Sequence, residues 1–222
     1  MSRIPHPDDE PGSPYLWLVL DEVVDPQNFG ALLRSAFFLG GVQSSSSSSE
    51  NDSGDFESKI GIMVCSKNSA PPSPVVSAAS AGALEICQVY STSNLPRTLN
   101  AARGDGWRIL GAAASAPSGM IDDKTGEPVF CQDLFDVETK DENQQKQPTI
   151  LVLGSEGHGL RNLVAKACSG FVRIPGNSAI GLALEGNSED VNDSRNPSVG
   201  VDSLNVSVTG GIMLWHLLNG KK

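Results

Sequence analysis

Short apolar segments alternate with helical patterns along most of this chain. Each apolar segment is four to six residues long, and together they predict strands at 15–20, 59–64, 86–90, 107–112, 149–153 and 171–174. Helical patterns predict helices at 30–39, 74–84, 95–102, 160–167 and 205–218. Short apolar strands separated by helices are typical of a parallel sheet buried on both faces. The sequence therefore predicts an α/β fold. No apolar run approaches the roughly 18 residues of a membrane span.

Four stretches interrupt this pattern with polar, low-complexity composition. They are residues 1–14, 44–58, 122–147 and 183–200, and the second begins with six consecutive serines. Such composition buries too little apolar surface to offset the entropy lost on ordering. We therefore expect a disordered N-terminus over 1–14, followed by a single domain over 15–222 that carries three insertions.

The acidic and basic residues are unevenly distributed along the chain. The net charge of −10 argues against a nucleic-acid partner. The four polar stretches, however, hold 19 of the 26 acidic residues and 5 of the 16 basic ones, which leaves a net charge of +4 on the rest. The charge thus permits an RNA partner without requiring one, since acidic surface loops also serve solubility. The spacing of histidines and cysteines predicts no metal site.

A first polar motif follows the first predicted strand. Asp25-Pro26 predicts a turn, because proline disfavours helix at the residue before it. Asn28 is a candidate helix N-cap, and Gly30 allows a close backbone approach. Arg34 follows in the second helical turn. Taken alone, this motif is equally consistent with a capped helix carrying a surface arginine.

A second motif, residues 150–161, predicts a strand, a glycine-rich turn and a helix. Gly154, Gly157 and Gly159 would expose backbone amides to a ligand. Glu156 disfavours a phosphate and suits a hydroxyl, an amine or a cation. A simpler interpretation is an ordinary turn with a solvated glutamate.

A third motif, residues 202–218, predicts a C-terminal helix. Ser203 or Asn205 can cap it. Val206, Gly210 and Met213 follow at helical spacing, which more often marks core than a site.

Together the three motifs resemble those of the SpoU (TrmH-type) branch of the SPOUT RNA 2′-O-methyltransferases. In that family the first motif reads Asp-Pro-x-Asn-x-Gly followed by Arg, the second Gly-x-Glu-x-x-Gly followed by an Ile-Pro strand end, and the third Ser-Leu-Asn-Val-Ser. All three are present here, with Ile174-Pro175 as the strand end. The segment 65–85 is further similar to the mitochondrial large-subunit rRNA members, which methylate a guanosine ribose.

This resemblance implies a fold and a cofactor. The family fold is a parallel sheet with helices on both faces and a C-terminal trefoil knot. The family cofactor is S-adenosylmethionine, held mostly through backbone groups and without a metal. The matching positions are Leu153, Gly154, Gly159, Ile174 and Leu204.

The resemblance also implies roles for side chains in methyl transfer to a ribose 2′-hydroxyl. In family accounts, the arginine that matches Arg34 removes the proton of that hydroxyl. Because arginine is effectively always protonated, we expect Arg34 instead to fix a phosphate or stabilise negative charge on the 2′-oxygen. Asn28 and Ser203 would orient Arg34 and the ribose. Glu156 would hold the arginine or a substrate hydroxyl, and Asn205 would order its loop.

His158 lies in the second motif and is a further candidate proton acceptor. The matching family position is not a fixed catalytic one.

Partners and compartment also follow from the resemblance. Family members are homodimers joined through the knot region, and Trp215 and Met213 are candidates for that contact, although core burial explains them equally well. An rRNA substrate and a mitochondrial location are expected, without a membrane partner, although no transit peptide is visible. Family relatives usually carry an N-terminal RNA-binding extension, whereas the first motif begins here at Leu18.

Two alternatives remain open at this point. One is a methyltransferase of the same family that acts on the ribose of tRNA. The other is a non-catalytic relative that binds RNA or the ribosome.

Overall fold

In the part of the chain that the structure describes, seven parallel strands form one central sheet. The computed structural model describes residues 3–9, 12–41, 60–121, 126–140, 146–176 and 203–220. The strands are β1 (Leu16–Leu20), β2 (Ile60–Cys65), β3 (Val89–Thr92), β4 (Arg108–Ala112), β5 (Cys131–Asp133), β6 (Thr149–Leu153) and β7 (Gly170–Arg173). Their order across the sheet is β3-β2-β1-β6-β4-β7-β5, and every neighbouring pair is parallel.

Helices cover both faces of this sheet, as the sequence predicted. They are α1 (Pro26–Gly40), α2 (Pro74–Ala79), α3 (Ala83–Ile86), α4 (Leu95–Gly104), α5 (Asn162–Ala167) and α6 (Val206–Asn219), with a short 3-10 helix at Leu134–Asp136. One buried cluster joins Leu18 and Leu20 of β1 to α1, α2 and α6. A second joins Trp17 and Val19 to α4 and α5. Alternate side chains of β1 thus enter two cores, which explains its continuous apolar sequence. No helix in the described parts of the chain is long and apolar enough to cross a membrane.

Several predicted boundaries differ from the structure. The first helix, predicted at 30–39, begins four residues earlier, at Pro26. The single helix expected at 74–84 is broken into α2 and α3, because Ala81 and Gly82 take left-handed backbone angles of φ 52° and 85°. The strand expected at 86–90 lies slightly later, as β3.

The polar stretch 122–147 was expected to be an insertion, and its described part corrects that expectation. Cys131–Asp133 forms the edge strand β5 beside β7. Leu134 and Val137 are buried in the core, since the two apolar side chains turn inward while the acidic neighbours remain outside. The abundance of acidic residues concealed these two positions in the sequence.

The N-terminal stretch also differs from the disorder expected over 1–14. Ile4 is fully buried, and His6 packs edge-to-face on Trp107 with ring centroids 5.3 Å apart. Arg3 donates to Asp105 at 2.9 Å. Residues 3–9 therefore pack against the domain through one apolar side chain and one aromatic contact.

The other expected insertions, 44–58 and 183–200, lie outside the described residues. The chain between Gly176 and Ser203, on which the expected knot depends, also lies outside them. The trefoil knot and the division into one domain with insertions stay predictions.

Candidate active site

A cleft of about 570 Å³ opens at the carboxyl ends of the central strands. Its walls come from the loops after β1, β2 and β6 and from the start of α6. The strands β1 and β6 are adjacent and end in register, at Leu20 and Leu153. This is the edge at which ligands bind in open parallel sheets.

The first turn of α1 places Asn28 at this cleft. Asp25 is the N-cap, and its side chain accepts a hydrogen bond from the backbone N–H of Gln27 at 3.0 Å. Pro26 occupies the first turn, where a missing N–H costs nothing. The expectation that Asn28 caps this helix is therefore wrong. Because Asp25 provides the cap, the amide of Asn28 is available to residues across the cleft.

Asn28, Glu156 and Asn205 form a closed hydrogen-bonded network, which we call the motif network. Asn28 Nδ2 donates to Glu156 Oε2 at 3.2 Å. Asn205 Nδ2 donates to Asn28 Oδ1 at 2.9 Å and to Glu156 Oε1 at 3.1 Å. In the chain, Glu156 lies 128 positions after Asn28, and Asn205 lies 177 positions after Asn28. It fixes the start of α1, the turn after β6 and the start of α6 relative to one another.

Asn205 has a second role at the same place. Its Oδ1 accepts from the backbone N–H of Ser207 at 2.9 Å and from the Ser207 hydroxyl at 2.6 Å, so Asn205 is the N-cap of α6. This agrees with one of the two caps predicted from the sequence. One amide side chain thus both starts α6 and holds Glu156.

The turn after β6 closes tightly and presents Glu156 at its tip. Ser155 and Gly159 exchange two backbone hydrogen bonds of 3.0 Å each. A Cβ on Gly154 would lie 2.3 Å from the Gly159 backbone, and Gly159 itself has φ +67°. The second motif therefore needs these two glycines for its own geometry. His158 is exposed and lines the cleft wall.

Two predicted site residues lie apart from the motif network. Arg34 is exposed on α1, six residues after Asn28, so its side chain leaves the helix about 120° away from Asn28. It is not among the described residues that line the cleft. Ser203 is exposed two residues before Asn205 and takes no part in the described network.

The predicted cofactor positions lie near the strand ends. Leu153 is buried, and its carbonyl accepts from the Asp21 N–H at 2.8 Å. Ile174 packs partly buried beyond β7, and Leu204 is exposed. These positions offer apolar contacts and backbone groups, which fit an uncharged ring system. Three carboxylates and the single cation Lys67 are among the described residues that line the adjacent cleft, so the excess negative charge fits a positively charged centre. Among the described residues, no group of His, Cys, Asp and Glu side chains could hold a metal ion.

Sequence reasoning missed the ion pair between Asp21 and Arg161. Asp21 is fully buried at the end of β1, and it accepts from Arg161 Nε at 2.7 Å and from the Arg161 backbone N–H at 3.0 Å. The hydrogen bond that Arg161 donates to Asp21 is the main cause that raises the pKa of Arg161 above its ordinary value. A carboxylate that directly follows a buried strand signals a buried charge, but the sequence does not tell which cation pairs with it.

The comparisons with known proteins agree with this geometry. The model of the SpoU rRNA Methylase family matches residues 57–181. The human protein named rRNA methyltransferase 1, mitochondrial, is 33% identical over 217 residues, which cover 97% of this chain and 48% of the human one. The protein of the same name from Schizosaccharomyces pombe is 34% identical over 206 residues, covering 93% and 52%. The chain therefore spans about half the length of these two relatives.

Solved structures show the same fold. A TrmH-family protein from Porphyromonas gingivalis superposes with a TM-score of 0.59 at 26% identity, covering 91% of this chain and 58% of that one. An AdoMet-bound rRNA methyltransferase from Sinorhizobium meliloti gives a TM-score of 0.58 at 19% identity, covering 92% and 59%.

Proposed function

This chain belongs to the SpoU rRNA methylase family, and we propose that it methylates the ribose 2′-hydroxyl of a guanosine in mitochondrial large-subunit rRNA. The names of the relatives support this substrate, since two are mitochondrial rRNA methyltransferases and a Pseudomonas syringae protein, 29% identical over 95% of this chain, is a 23S rRNA (guanosine-2′-O-)-methyltransferase.

The motif network is the observation that carries the proposal. The side chains that match the family's three motifs, Asn28, Glu156 and Asn205, lie far apart in the chain and hydrogen-bond to one another beside one cleft. Three separate motifs would not meet in this way if each were an ordinary helix cap or turn. The network supports a single site built from all three.

S-adenosylmethionine is the proposed methyl donor. It would supply an activated methyl group on a positively charged sulfur, and it is bound in the Sinorhizobium meliloti relative. Leu153, Gly154, Gly159, Ile174 and Leu204 would hold its uncharged parts through backbone groups and apolar contacts. The acidic lining of the cleft would favour its charged centre.

The side chains of this chain have positioning roles in the proposed reaction. Glu156 accepts amide hydrogen bonds on both carboxylate oxygens, so it is held rigidly at the cleft, where it can accept a bond from a ribose hydroxyl. Ser203 lies near enough in sequence to Asn205 to contact the ribose once RNA is bound. Arg34 is exposed and free of a described carboxylate partner, which suits contact with an RNA phosphate or with charge on the 2′-oxygen.

A homodimer is part of the same proposal. Phe38 and Trp215, on the contacting helices α1 and α6, are 85% and 60% exposed. Large apolar side chains exposed on two adjacent helices favour a protein contact. Met213, the other sequence candidate for this contact, is 1% exposed and belongs to the core.

Methyl transfer to defined transcripts tests the function. The purified chain would be incubated with labelled S-adenosylmethionine and a mitochondrial large-subunit rRNA transcript, and methylated riboses would be mapped as alkali-resistant dinucleotides. Label at a single guanosine is the expected result. If label appeared only in a tRNA transcript supplied in parallel, the substrate would be tRNA and not rRNA. Cofactor binding without any transfer would indicate a non-catalytic relative.

The variant Arg34→Ala tests the site assignment in the same assay. We expect transfer to be lost while cofactor affinity stays within a few-fold, because Arg34 lies outside the cofactor positions. The matched control is Arg97→Ala, an exposed arginine on α4, which should retain full transfer. Full activity of Arg34→Ala would remove Arg34 from the proposed site.

A further inference from the structure

A second cavity lies at the opposite edge of the sheet, where β1 and β6 begin. It has a volume of about 210 Å³ and is bordered by Leu16, Thr149 and the last turn of α6. We call it the amino-edge pocket. The length of β1 from Leu16 to Leu20 separates it from the active-site cleft by about 13 Å. It therefore cannot share a small ligand with that cleft.

Of the described residues that line the amino-edge pocket, three are cations and none is a carboxylate. The cations are Arg108, Lys140 and Lys146. Arg108 donates from Nε and Nη2 to the Thr149 hydroxyl at 3.2 and 2.9 Å, and from Nη1 to the Glu138 carbonyl at 2.6 Å. These acceptors are neutral. Burial consequently lowers the pKa of Arg108 to about 10, and the charge of Glu138 offsets this only in part.

The two lysines stand directly opposite each other. Lys140 and Lys146 pair in an isolated antiparallel bridge, and their sequence neighbours Thr139 and Gln147 also line the pocket. Like charges directly across a strand pair destabilise it. A partly buried arginine whose hydrogen bonds all go to neutral acceptors is also unfavourable. A bound anion would relieve both costs at once, because all three cations face the same cavity.

The pocket lining also includes apolar side chains and an aromatic ring. Tyr15 is 42% exposed there, beside Leu16, Leu217 and Leu218. An aromatic ring next to cations is the usual arrangement for a single-stranded nucleotide, whose base stacks while its phosphate pairs with the cations. An inorganic anion or an acidic peptide would use the cations and leave the ring without a role.

We propose that the amino-edge pocket binds one unpaired nucleotide of an RNA strand, with its phosphate on Arg108, Lys140 and Lys146 and its base against Tyr15. That the RNA is the methylation substrate rests on the function proposed above. Binding itself does not, since the pocket lies away from the cleft.

Equilibrium binding without cofactor tests this pocket. A fluorescent eight-nucleotide single-stranded RNA would be titrated with the full chain, with anisotropy read at several salt concentrations. For the double variant Lys140→Gln/Lys146→Gln we expect about tenfold weaker binding and a shallower salt dependence, because two phosphate-pairing cations are removed. Arg97→Gln/Lys166→Gln is the matched control, since it removes two exposed cations from α4 and α5. Equal losses in both double variants, or no binding by the unaltered chain, would overturn the proposal.

A second variant separates the nucleotide from other anions. Tyr15→Leu should weaken RNA binding about fivefold through lost stacking and leave competition by inorganic phosphate unchanged. Competition by polyglutamate as strong as by RNA of equal charge, or no effect of Tyr15→Leu, would reduce the pocket to a general anion surface and overturn the assignment. If the pocket variants lose RNA binding but the unaltered chain methylates no transcript, the pocket stands and the proposed reaction fails.

Discussion

At the scale of single residues, the Asp21–Arg161 pair links the start of the site to its second motif. Asp21 directly follows β1 and is fully buried, whereas Arg161, the N-cap of α5, has a side chain that is 34% exposed. Loss of either partner should therefore destabilise the fold to a different extent. Removing the carboxylate leaves an arginine that can reach water. Removing the guanidinium takes away a cation from a buried carboxylate that also accepts from the Arg161 backbone N–H.

We predict that Arg161→Met destabilises the fold more than Asp21→Asn. The first should cost about 3 kcal/mol, because it leaves an uncompensated buried charge. The second should cost about 1 to 2 kcal/mol, the loss of charge-assisted hydrogen bonds. Urea unfolding of the two variants measures both values.

Arg173→Met provides the control for this comparison. It breaks a pair with Asp133 at 2.6 Å in which the side chains are 51% and 35% exposed. Surface pairs contribute little, so its cost should stay within about 1 kcal/mol. A larger loss for Asp21→Asn than for Arg161→Met would contradict the burial argument.

At the scale of elements, the packing of α1 between α2 and α6 depends on glycines of two kinds. A Cβ on Gly30 would lie 2.5 Å from Ala79 Cβ and 2.8 Å from the Val76 carbonyl, so α1 and α2 approach closely there. A Cβ on Gly210 would lie 2.3 Å from Leu32 Cδ2. At Gly211 the nearest atom is Ser35 Oγ, 3.6 Å away. Glycine is a weak helix former at both positions, but only Gly210 is needed for packing.

We predict that two glycine-to-alanine changes alter the free energy of unfolding in opposite directions. Gly30→Ala should destabilise by about 2 kcal/mol, because the backbone of α2 cannot move aside as a flexible side chain can. Gly211→Ala should stabilise by about 0.5 to 1 kcal/mol through helix propensity. Thermal unfolding compares them, and a gain in stability for Gly30→Ala would show that α2 moves freely relative to α1.

The sequence predicted most elements but not all their limits. Strands such as Thr149–Leu153 were predictable because a strand buried on both faces is continuously apolar. The break at Ala81 was not, since alanine rarely takes a positive φ and nothing local indicates it. The edge strand β5 was missed because an edge position needs few apolar residues, and only Leu134 and Val137 beyond it enter the core.

At the scale of the whole molecule, the fold class and the family were predictable and the internal geometry was not. The α/β class and the resemblance to SpoU methylases are both confirmed. The meeting of Asn28, Glu156 and Asn205 follows from a parallel sheet, because its carboxyl ends share one edge. The separation of Arg34 from Asn28 was implied by helix geometry, because two residues six positions apart on a helix point about 120° away from each other. The amino-edge pocket joins residues from five separate segments, which no local pattern connects.

Exposed apolar side chains on α6 and α1 indicate how the chain assembles. Val208, Ile212 and Trp215 recur every three or four residues along the exposed side of α6, and Phe38 adds a ring on the neighbouring α1. Such a stripe is typical of a helix face that packs on another surface.

We expect the unaltered chain to sediment as a dimer and the double variant Phe38→Glu/Trp215→Glu to sediment as a monomer, because the dimer contact of the variant would bury two carboxylates per chain. Phe130→Glu is the matched control, since Phe130 is 72% exposed beside β5, away from this stripe, and its replacement should leave the mass unchanged. A monomer in the unaltered chain at micromolar concentration, or an unchanged dimer in the double variant, would place the subunit contact elsewhere.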